Sequence, residues 1–406
     1  MSDAEGPLAY LTQLRGEANK STARIHHRRS EAEAKAFIDE WVGKQFSPQF
    51  AADPAMRPII AMIERLVTWA ATNSREMHRV LDEHLTWMQQ KIERTAEARC
   101  KGLDPGFDRP VIGYLQTGQV NAMCLRVPDG SGHLVVYEDQ LLRFIGLLSD
   151  LIAFALPVLG NAGTEAAQLH LSRAAVTERI EVEPAVVNRF LEIIAAYAIY
   201  GDLTSRVSQQ HLPQGYKLTS FMIKNALHYF VIGHEYAHAL LGHLRDTEPR
   251  KGMLPIDEDA RVLPWSWEQE LAADELGMVL AIITGMEQDH MHPAYCYMGV
   301  ELFFLALDVM DRSVALLETG AEGTRQLGSH PPGHLRIQRL REYLPQMFQQ
   351  SPEHVEALRQ TLGVADEQQE VIRLLWEHVR PVLIEQHRDG QRPAGRWRTI
   401  PIESER

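Results

Sequence analysis

Apolar residues recur at three- and four-residue steps along most of the chain, and this spacing predicts a mostly helical protein. The pattern runs from about 55 to 100, where Ile59 and Ile63 are followed at similar steps by Leu81 and Leu85. It returns in later segments. Helices are predicted over 149–222, with breaks at 160–163 and 201–219, and over 265–285, 294–317, 333–345 and 352–388.

A different pattern occupies residues 111–148. The segments 111–115, 120–127 and 133–137 are short apolar runs typical of strands, and the turn-forming sequence Pro-Asp-Gly-Ser-Gly separates the last two. These runs predict a small antiparallel sheet, followed by a helix that begins near Leu141. The predicted fold class is therefore α+β, with helix predominating.

The composition narrows the possible functions and partners. A net charge of −13 argues against a nucleic-acid partner. The three cysteines, Cys100, Cys124 and Cys296, form no CxxC pair, which suits a reducing cytosol, and each is expected to be a small buried residue. The first residues lack a basic region followed by an apolar one, so no signal peptide is expected and the predicted location is the cytoplasm.

The most apolar segment, 144–160, is the best candidate for a membrane span. It is short for this purpose, and a carboxylate near its middle, Asp150, costs about 3 kcal/mol on insertion scales. A buried or interfacial helix is the preferred interpretation, so we expect a soluble protein without a transmembrane segment. Peripheral membrane contact through 144–160 stays open.

The segment 225–243 contains His234, Glu235 and His238 in the pattern HExxH. On a helix the two histidines lie on one face about 6 Å apart along the axis, so both imidazoles can reach one metal ion. Glu235 lies about 100° around the helix from His234, which places it to hold a water molecule instead of the metal. The alternative is a chance occurrence of a short motif in a chain with 18 histidines.

A third ligand is expected from the predicted helix that follows. Glu270 and Asp274 are spaced i, i+4, so Glu270 can complete a His₂Glu set while Asp274 accepts a hydrogen bond from a ligating imidazole. Glu268 and Glu275 are competing candidates for the ligand. Glu268 lies about 160° around the helix from Glu270, so the two cannot both face the ion.

Together these motifs resemble the gluzincin metallopeptidases, and in particular the HtpX-type and CAAX-prenyl-protease peptidases. The resemblance rests on HExxH followed by Glu270-Leu-Ala-Ala-Asp274, and on His243 nine residues after His234. It extends to Ser329-His-Pro-Pro-Gly-His-Leu-Arg336-Ile, which is similar to the HPP motif of those families, and to an upstream segment at 121–124. It covers about 111–148 and 222–342.

The resemblance implies a zinc-dependent endopeptidase that acts on a protein or peptide substrate. His234, His238 and Glu270 would hold one Zn²⁺, with Glu235 as general base. His330 would stabilise the oxyanion, and Arg336 would hold its loop. The implied substrate strand comprises Asn121, Ala122, Met123 and Cys124. For His243 two roles remain open, a structural hydrogen bond or contact with substrate.

The resemblance implies one catalytic domain that contains the strands and all the motifs, whereas the insertion at 149–222 and the helical N-terminal region have no counterpart in it. Residues 106–345 would form a zincin-like metallopeptidase domain with a helical insertion at about 149–222. A helical region would precede it at 1–105, and a helical region with a tail would follow at 346–406. The families resembled here carry transmembrane helices, whereas none is predicted in this chain, which casts doubt on membrane substrates. Two alternatives remain: a regulatory or sensor protein with a zincin-like site, and a protease that its helical extensions hold inactive until triggered.

Overall fold

The protein is mostly helical and contains a small mixed sheet. The computed structural model describes residues 5–21, 74–99, 109–118, 120–159, 168–169, 172–207, 212–246, 250–251, 261–262, 265–325, 330–348, 352–395 and 402–404. The predicted helical stretch 55–73 and Cys100 lie outside these residues.

Twelve helices are present in the described part of the chain. They are α1 (Glu5–Ser21), α2 (Ser74–Arg99), α3 (Asp139–Ala155), α4 (Arg173–Val182), α5 (Pro184–Ala195), α6 (Leu203–Arg206), α7 (Gln214–Leu240), α8 (His243–Asp246), α9 (Trp267–Asp289), α10 (Pro293–Thr319), α11 (Gly333–Met347) and α12 (Pro352–Arg388), with a π-helical turn at Ala196–Tyr200 after α5. The helices predicted at 265–285, 294–317, 333–345 and 352–388 are thereby confirmed.

The strands are short, and several have only two or three residues. They are β1 (Val111–Leu115), β2 (Ala122–Arg126), β3 (His133–Glu138), β4 (Val158–Leu159), β5 (Gln168–Leu169), β6 (Arg250–Lys251), β7 (Arg261–Val262), β8 (Gly323–Arg325) and β9 (Ile402–Ser404). The main sheet has the order β1-β3-β2-β7-β6, and two further pairs, β4 with β5 and β8 with β9, lie outside it.

The predicted antiparallel arrangement of the main sheet is wrong for β1. This strand pairs with β3 in parallel, whereas β2 and β3 form the predicted antiparallel hairpin. All six residues of β3 are buried, so β3 takes the central position and separates β1 from β2. Three consecutive strands that reverse direction at each connection leave the first and third parallel, and these two become neighbours here.

Helix α1 covers the face of the sheet that points away from the other helices. Leu11 and Leu14 of α1 are buried against Leu134 and Val136 of β3 and their neighbours. Arg15 donates hydrogen bonds to the carbonyl oxygen of Tyr114 on β1, and it pairs with Asp82 of α2. Asp82 in turn accepts from the Tyr114 amide at 2.8 Å, so side chains occupy the hydrogen-bonding groups of this residue at the outer edge of β1.

The main core surrounds α7. Buried side chains of α2, α3, α9, α10 and α12 belong to one hydrophobic cluster with those of α7. The extent of this cluster, including Leu85 and Met88 of α2, shows that α2 packs into the main core. The division into domains at 105, 149–222 and 345 stays a prediction.

Two glycines allow the close approach of α7 and α9. A Cβ atom on Gly277 would lie 2.9 Å from the backbone nitrogen of His234, and one on Gly233 would lie 3.1 Å from the carbonyl oxygen of Gly277. The face of α9 that meets α7 carries Glu270, Asp274 and Gly277 at i, i+4 and i+7. Polar residues therefore occupy part of the buried face of this helix.

The segment considered for membrane contact lies mostly in α3, where Phe144, Ile145 and Leu148 are buried in the main core. Within the described ranges, no helix combines the length and the apolar character needed to cross a membrane. Cys124 and Cys296 are buried, as predicted.

Candidate metal centre

Helix α7 presents His234 and His238 toward α9, and their Nε2 atoms lie 3.2 Å apart. Both rings are buried, His238 completely. The i, i+4 spacing on a helix accounts for this approach, and the surrounding apolar surface of α7, including Phe230 and Ile232, is buried in the core. Two imidazole nitrogens therefore meet in the interior beside the α9 contact.

Glu270 supplies a third potential ligand. One of its carboxylate oxygens lies 3.7 Å from Nε2 of His234, and the other lies 3.7 Å from Nε2 of His238. Tetrahedral coordination at about 2.0–2.1 Å separates neighbouring ligand atoms by roughly 3.3 Å, so these three side chains fit one face of a tetrahedral zinc site. Among the described residues, these three side chains form a group that could hold a metal ion.

The hydrogen bonding of Glu270 supports this interpretation. Its side chain is fully buried, yet neither carboxylate oxygen makes a hydrogen bond among the described residues. Buried polar atoms are usually satisfied. Arg336 lies within ion-pair distance of one of these oxygens, and a bound cation would add a ligand bond to the carboxylate. The competing acidic residues do not take this position, because Glu268 is exposed and Glu275 forms an ion pair with Arg339 on the surface.

Asp274 lies one helical turn beyond Glu270 and contacts the other nitrogen of His234. Its Oδ1 is 2.9 Å from Nδ1 of His234. Burial alone would raise the pKa of Asp274, but the charge of Arg336 and the bond to His234 hold that pKa below its ordinary value. Asp274 is therefore an ionised acceptor that favours a proton on Nδ1 of His234 and leaves Nε2 free to ligate.

Arg336 of α11 contacts both buried carboxylates of α9, those of Asp274 and Glu270. It donates hydrogen bonds to Asp274 through Nε at 2.6 Å and through Nη2 at 2.5 Å, and Nη2 is 3.2 Å from Glu270. Its guanidinium carbon lies 4.4 Å from the ring centroid of Phe304. Arg336 is buried and offsets the negative charge of two buried carboxylates, Asp274 and Glu270.

His330 lies at the outer side of the same group. Its Nε2 is 3.6 Å from one oxygen of Glu270, and its side chain is 44% exposed. It precedes α11, so the loop that brings His330 to the centre continues directly into the helix that carries Arg336. This histidine reaches both solvent and the ligand cluster.

Glu235 is buried on α7 beside the ligands, and one of its carboxylate oxygens has no hydrogen-bond partner among the described residues. Burial raises its pKa to about 7, against the opposing effect of His234. The pKa of His238 lies well below its ordinary value, because burial and then the neighbouring His234 and His243 disfavour its protonation. His238 is thus neutral, the form in which an imidazole ligates a metal.

A histidine and a tryptophan contact His238 on the side away from Glu270. Nδ1 of His243 lies 2.9 Å from Nδ1 of His238. The ring of Trp265 stacks on that of His238 with a centroid distance of 4.1 Å and an interplanar angle of 15°. Sequence reasoning did not identify Trp265, although its position immediately before the Ser266 cap of α9 was a signal that it lies near Glu270.

The predicted substrate strand, 121–124, adjoins the part of β2 that pairs with β7. Strand β7 pairs with Leu125 and Arg126 of β2, at the end of the strand beyond Cys124. Ala122 and Met123 are half-buried and lie in β2, whereas Asn121 precedes the strand and accepts a backbone hydrogen bond from Glu138. Cys124 is buried, so its side chain belongs to the core.

Strand β2 follows the direction of α7 toward the metal ligands. Near its start, Ala122 pairs with Tyr137, whose hydroxyl lies 2.8 Å from Nδ1 of His228 on α7. At its end, Arg126 donates a hydrogen bond to the carbonyl oxygen of Leu244, just beyond His243. Strand β2 and helix α7 therefore extend side by side.

No protein-family model, no curated protein and no solved structure matches this chain.

Proposed function

We propose that this protein is a zinc-dependent endopeptidase of the gluzincin type. The observation that carries the proposal is the buried group of His234, His238 and Glu270, with the carboxylate of Glu235 beside it. Three protein ligands leave a fourth position open, as in catalytic zinc sites, whereas structural sites have four protein ligands. The order of the motifs, which resembles that of HtpX-type peptidases, supports the same assignment.

Zinc fits this donor set better than calcium or magnesium does. Two neutral imidazoles and one carboxylate suit zinc, whereas calcium and magnesium prefer oxygen ligands throughout. When bound, zinc would lower the pKa of a coordinated water toward about 7 and polarise the scissile carbonyl.

Glu235 is the proposed general base. Burial raises the pKa of its carboxyl group to about 7, a value that suits proton exchange near neutral pH. Glu235 would accept a proton from the attacking water and then donate it to the nitrogen of the departing amine. The two roles require one carboxylate that is buried, close to the ligands and not itself a ligand.

His330 is the proposed donor to the oxyanion that develops on the substrate carbonyl. It lies on the exposed side of the ligand cluster, where a substrate can reach it. Arg336 is buried and pairs with Asp274 instead, so its proposed role is to hold α11 and the His330 loop against α9.

The proposed substrate is an extended segment of a protein or peptide that pairs with Ala122–Cys124. Beyond these residues, β2 already pairs with β7. On β1, Arg15 and Asp82 already bond to the backbone groups of Tyr114. A main-chain ladder would bind many sequences with little selectivity. The proposed location is the cytoplasm, since the buried thiols of Cys124 and Cys296 suit a reducing compartment.

Proteolysis of an unfolded protein by zinc-loaded wild type and by Glu235→Gln, with the zinc content of both measured, tests this function. We expect both proteins to hold one zinc ion and only wild type to cleave. Zinc retention with no cleavage by wild type would instead favour the regulatory or sensor alternative. Equal cleavage by both would exclude Glu235 as the base.

A further inference from the structure

We propose that His243 is a positioning residue for the metal ligand His238, and that it acts by accepting the proton on Nδ1 of that imidazole. The two Nδ1 atoms lie 2.9 Å apart, a hydrogen-bond distance. The inference rests on the proposed zinc site. The sequence leaves two roles open for His243, a structural hydrogen bond or contact with substrate. This distance favours the structural hydrogen bond.

The direction of this hydrogen bond follows from the ligand geometry. His238 faces His234 and Glu270 through Nε2, so Nε2 must be unprotonated to ligate and the ring proton must be on Nδ1. A hydrogen bond needs one donor and one acceptor, so Nδ1 of His243 must be unprotonated. His243 is therefore the neutral tautomer with its proton on Nε2, and it fixes the tautomer of His238.

The chain reaches this arrangement through a break after α7. Gly242 has φ of +76°, a left-handed conformation that ends the helix. In a continuous helix, His243 would lie about 140° around the axis from His238, on a different face. The turn at Gly242 brings His243 back against the ligand five residues before it.

Trp265 completes the support of this imidazole. Trp265 stacks on the face of the His238 ring, and His243 lies at the edge of that ring. Tilting the ring would disturb the stack, and turning it within its own plane would lengthen the hydrogen bond. The other imidazole ligand has a different support, since His234 contacts the carboxylate of Asp274. The two histidines thus have different groups beside Nδ1, a carboxylate for His234 and an imidazole for His238.

Zinc affinity, measured by competition with a chromophoric chelator, tests the assignment without any activity assay. Loss of such a partner typically weakens metal binding by about 10–100-fold. We expect a loss in that range for His243→Ala. His243→Asn should retain most of the affinity, because the Asn carbonyl oxygen can take the position of Nδ1. His378→Ala, which removes an exposed histidine of α12, should bind zinc as wild type does.

His243→Gln keeps a polar side chain but moves its acceptor one bond further from the backbone, and it guards against an alanine variant that fails to fold. We expect His243→Gln to bind zinc more weakly and His243→Asn to bind it nearly as wild type does. Circular dichroism should show that both variants are folded without zinc. The visible spectrum of the cobalt-substituted protein should change in His243→Gln and return in His243→Asn. A purely structural role would not distinguish the two amides.

The outcomes separate this inference from the proposed function. If wild type binds no zinc, the proposed metal site is wrong and the inference falls with it. If wild type binds zinc and His243→Ala or His243→Gln binds it equally well, only the positioning role is overturned.

Discussion

Arg336 donates two parallel hydrogen bonds to Asp274, at 2.6 Å and 2.5 Å, across the contact between α11 and α9. The same carboxylate lies 2.9 Å from Nδ1 of His234. Such a fork-to-fork pair fixes both orientation and distance, and this one joins the helix that follows His330 to an imidazole of the candidate metal group. Asp274 therefore connects the proposed oxyanion donor loop to the proposed zinc ligands.

Replacing Arg336 with Ala should destabilise the protein strongly. The variant leaves Asp274 and Glu270 buried without their cation, and breaking a buried pair in this way costs about 3–5 kcal/mol. Urea unfolding with and without zinc measures the effect, and zinc should restore part of the lost free energy of unfolding. Arg339→Ala is the matched control, because Arg339 is exposed and its surface pair with Glu275 contributes about 0–1 kcal/mol. Equal effects of the two substitutions would contradict this account.

Zinc stoichiometry should distinguish Glu270 from Glu268, its neighbour on α9. We expect Glu270→Ala to bind zinc much more weakly because it removes one of three protein ligands. Glu268→Ala should bind one equivalent as wild type does, since Glu268 is exposed. Metal analysis after dialysis against a weak chelator measures both. A zinc-replete Glu270→Ala protein would transfer the ligand role to another residue.

Glu138, at the end of β3, should make the stability of the protein depend on pH. Its side chain is fully buried, and burial raises its pKa to about 8 despite a hydrogen bond from Thr117. Between about 4.5 and 8 the folded protein therefore holds a proton that the unfolded chain releases, so this group lowers the free energy of unfolding as pH rises through that range.

Glu138→Gln removes this titration. We expect the variant to gain stability over wild type as pH rises from 5 to 8, by on the order of a few kcal/mol in total. Urea unfolding at each pH measures the difference between the two proteins. Glu178→Gln, an exposed change on α4, serves as the control and should alter stability by about 0.5 kcal/mol or less. A constant difference for Glu138→Gln would show that its carboxyl group does not titrate abnormally.

Helix α1 should contribute directly to the stability of the sheet. Leu14 is fully buried there, so Leu14→Ala should cost about 2–5 kcal/mol, whereas Leu8→Ala on the exposed side of α1 should change stability by about 0.5 kcal/mol or less. Zinc affinity should be unchanged in both, because α1 packs on the face of the sheet away from α7. Equal stabilities of the two variants would contradict the docking of α1.

This packing also limits how a self-restrained protease can be tested. Deletion of residues 1–100 would remove α1 and also α2, whose Leu85, Met88 and Ile92 are part of the main core. Loss of activity in such a truncation would reflect unfolding of the core and would not count against restraint by these helices. Single substitutions on exposed positions of these helices are the cleaner approach.

Much of the candidate site could be predicted from the sequence because its residues recur at helical spacings. His234 and His238, and then Glu270 and Asp274, each lie at i, i+4, and helix geometry alone places each pair on one face. The alternative ligands Glu268 and Glu275 could be resolved only in three dimensions. Burial of one carboxylate and ion pairing of another are tertiary properties that no local pattern carries.

Other features could not be predicted for identifiable physical reasons. The parallel pairing of β1 with β3 depends on which strand is buried most completely, and three short apolar runs look alike in this respect. Arg336 looks like a loop anchor in the sequence, and its pairing with Asp274 spans 62 residues. The contact between His243 and His238 depends on the left-handed turn at Gly242, which a continuous helical pattern conceals.

Peptide-bond hydrolysis in ¹⁸O-labelled water tests the central claim most directly. Zinc-loaded wild type and Glu235→Gln are each incubated with one unfolded protein, and the new carboxyl termini are analysed by mass spectrometry. We predict ¹⁸O at new termini with wild type, loss of these products after zinc chelation and their return with added zinc, and almost none with Glu235→Gln at equal zinc content. No labelled termini from zinc-replete wild type, or the same rate from Glu235→Gln, would contradict the account.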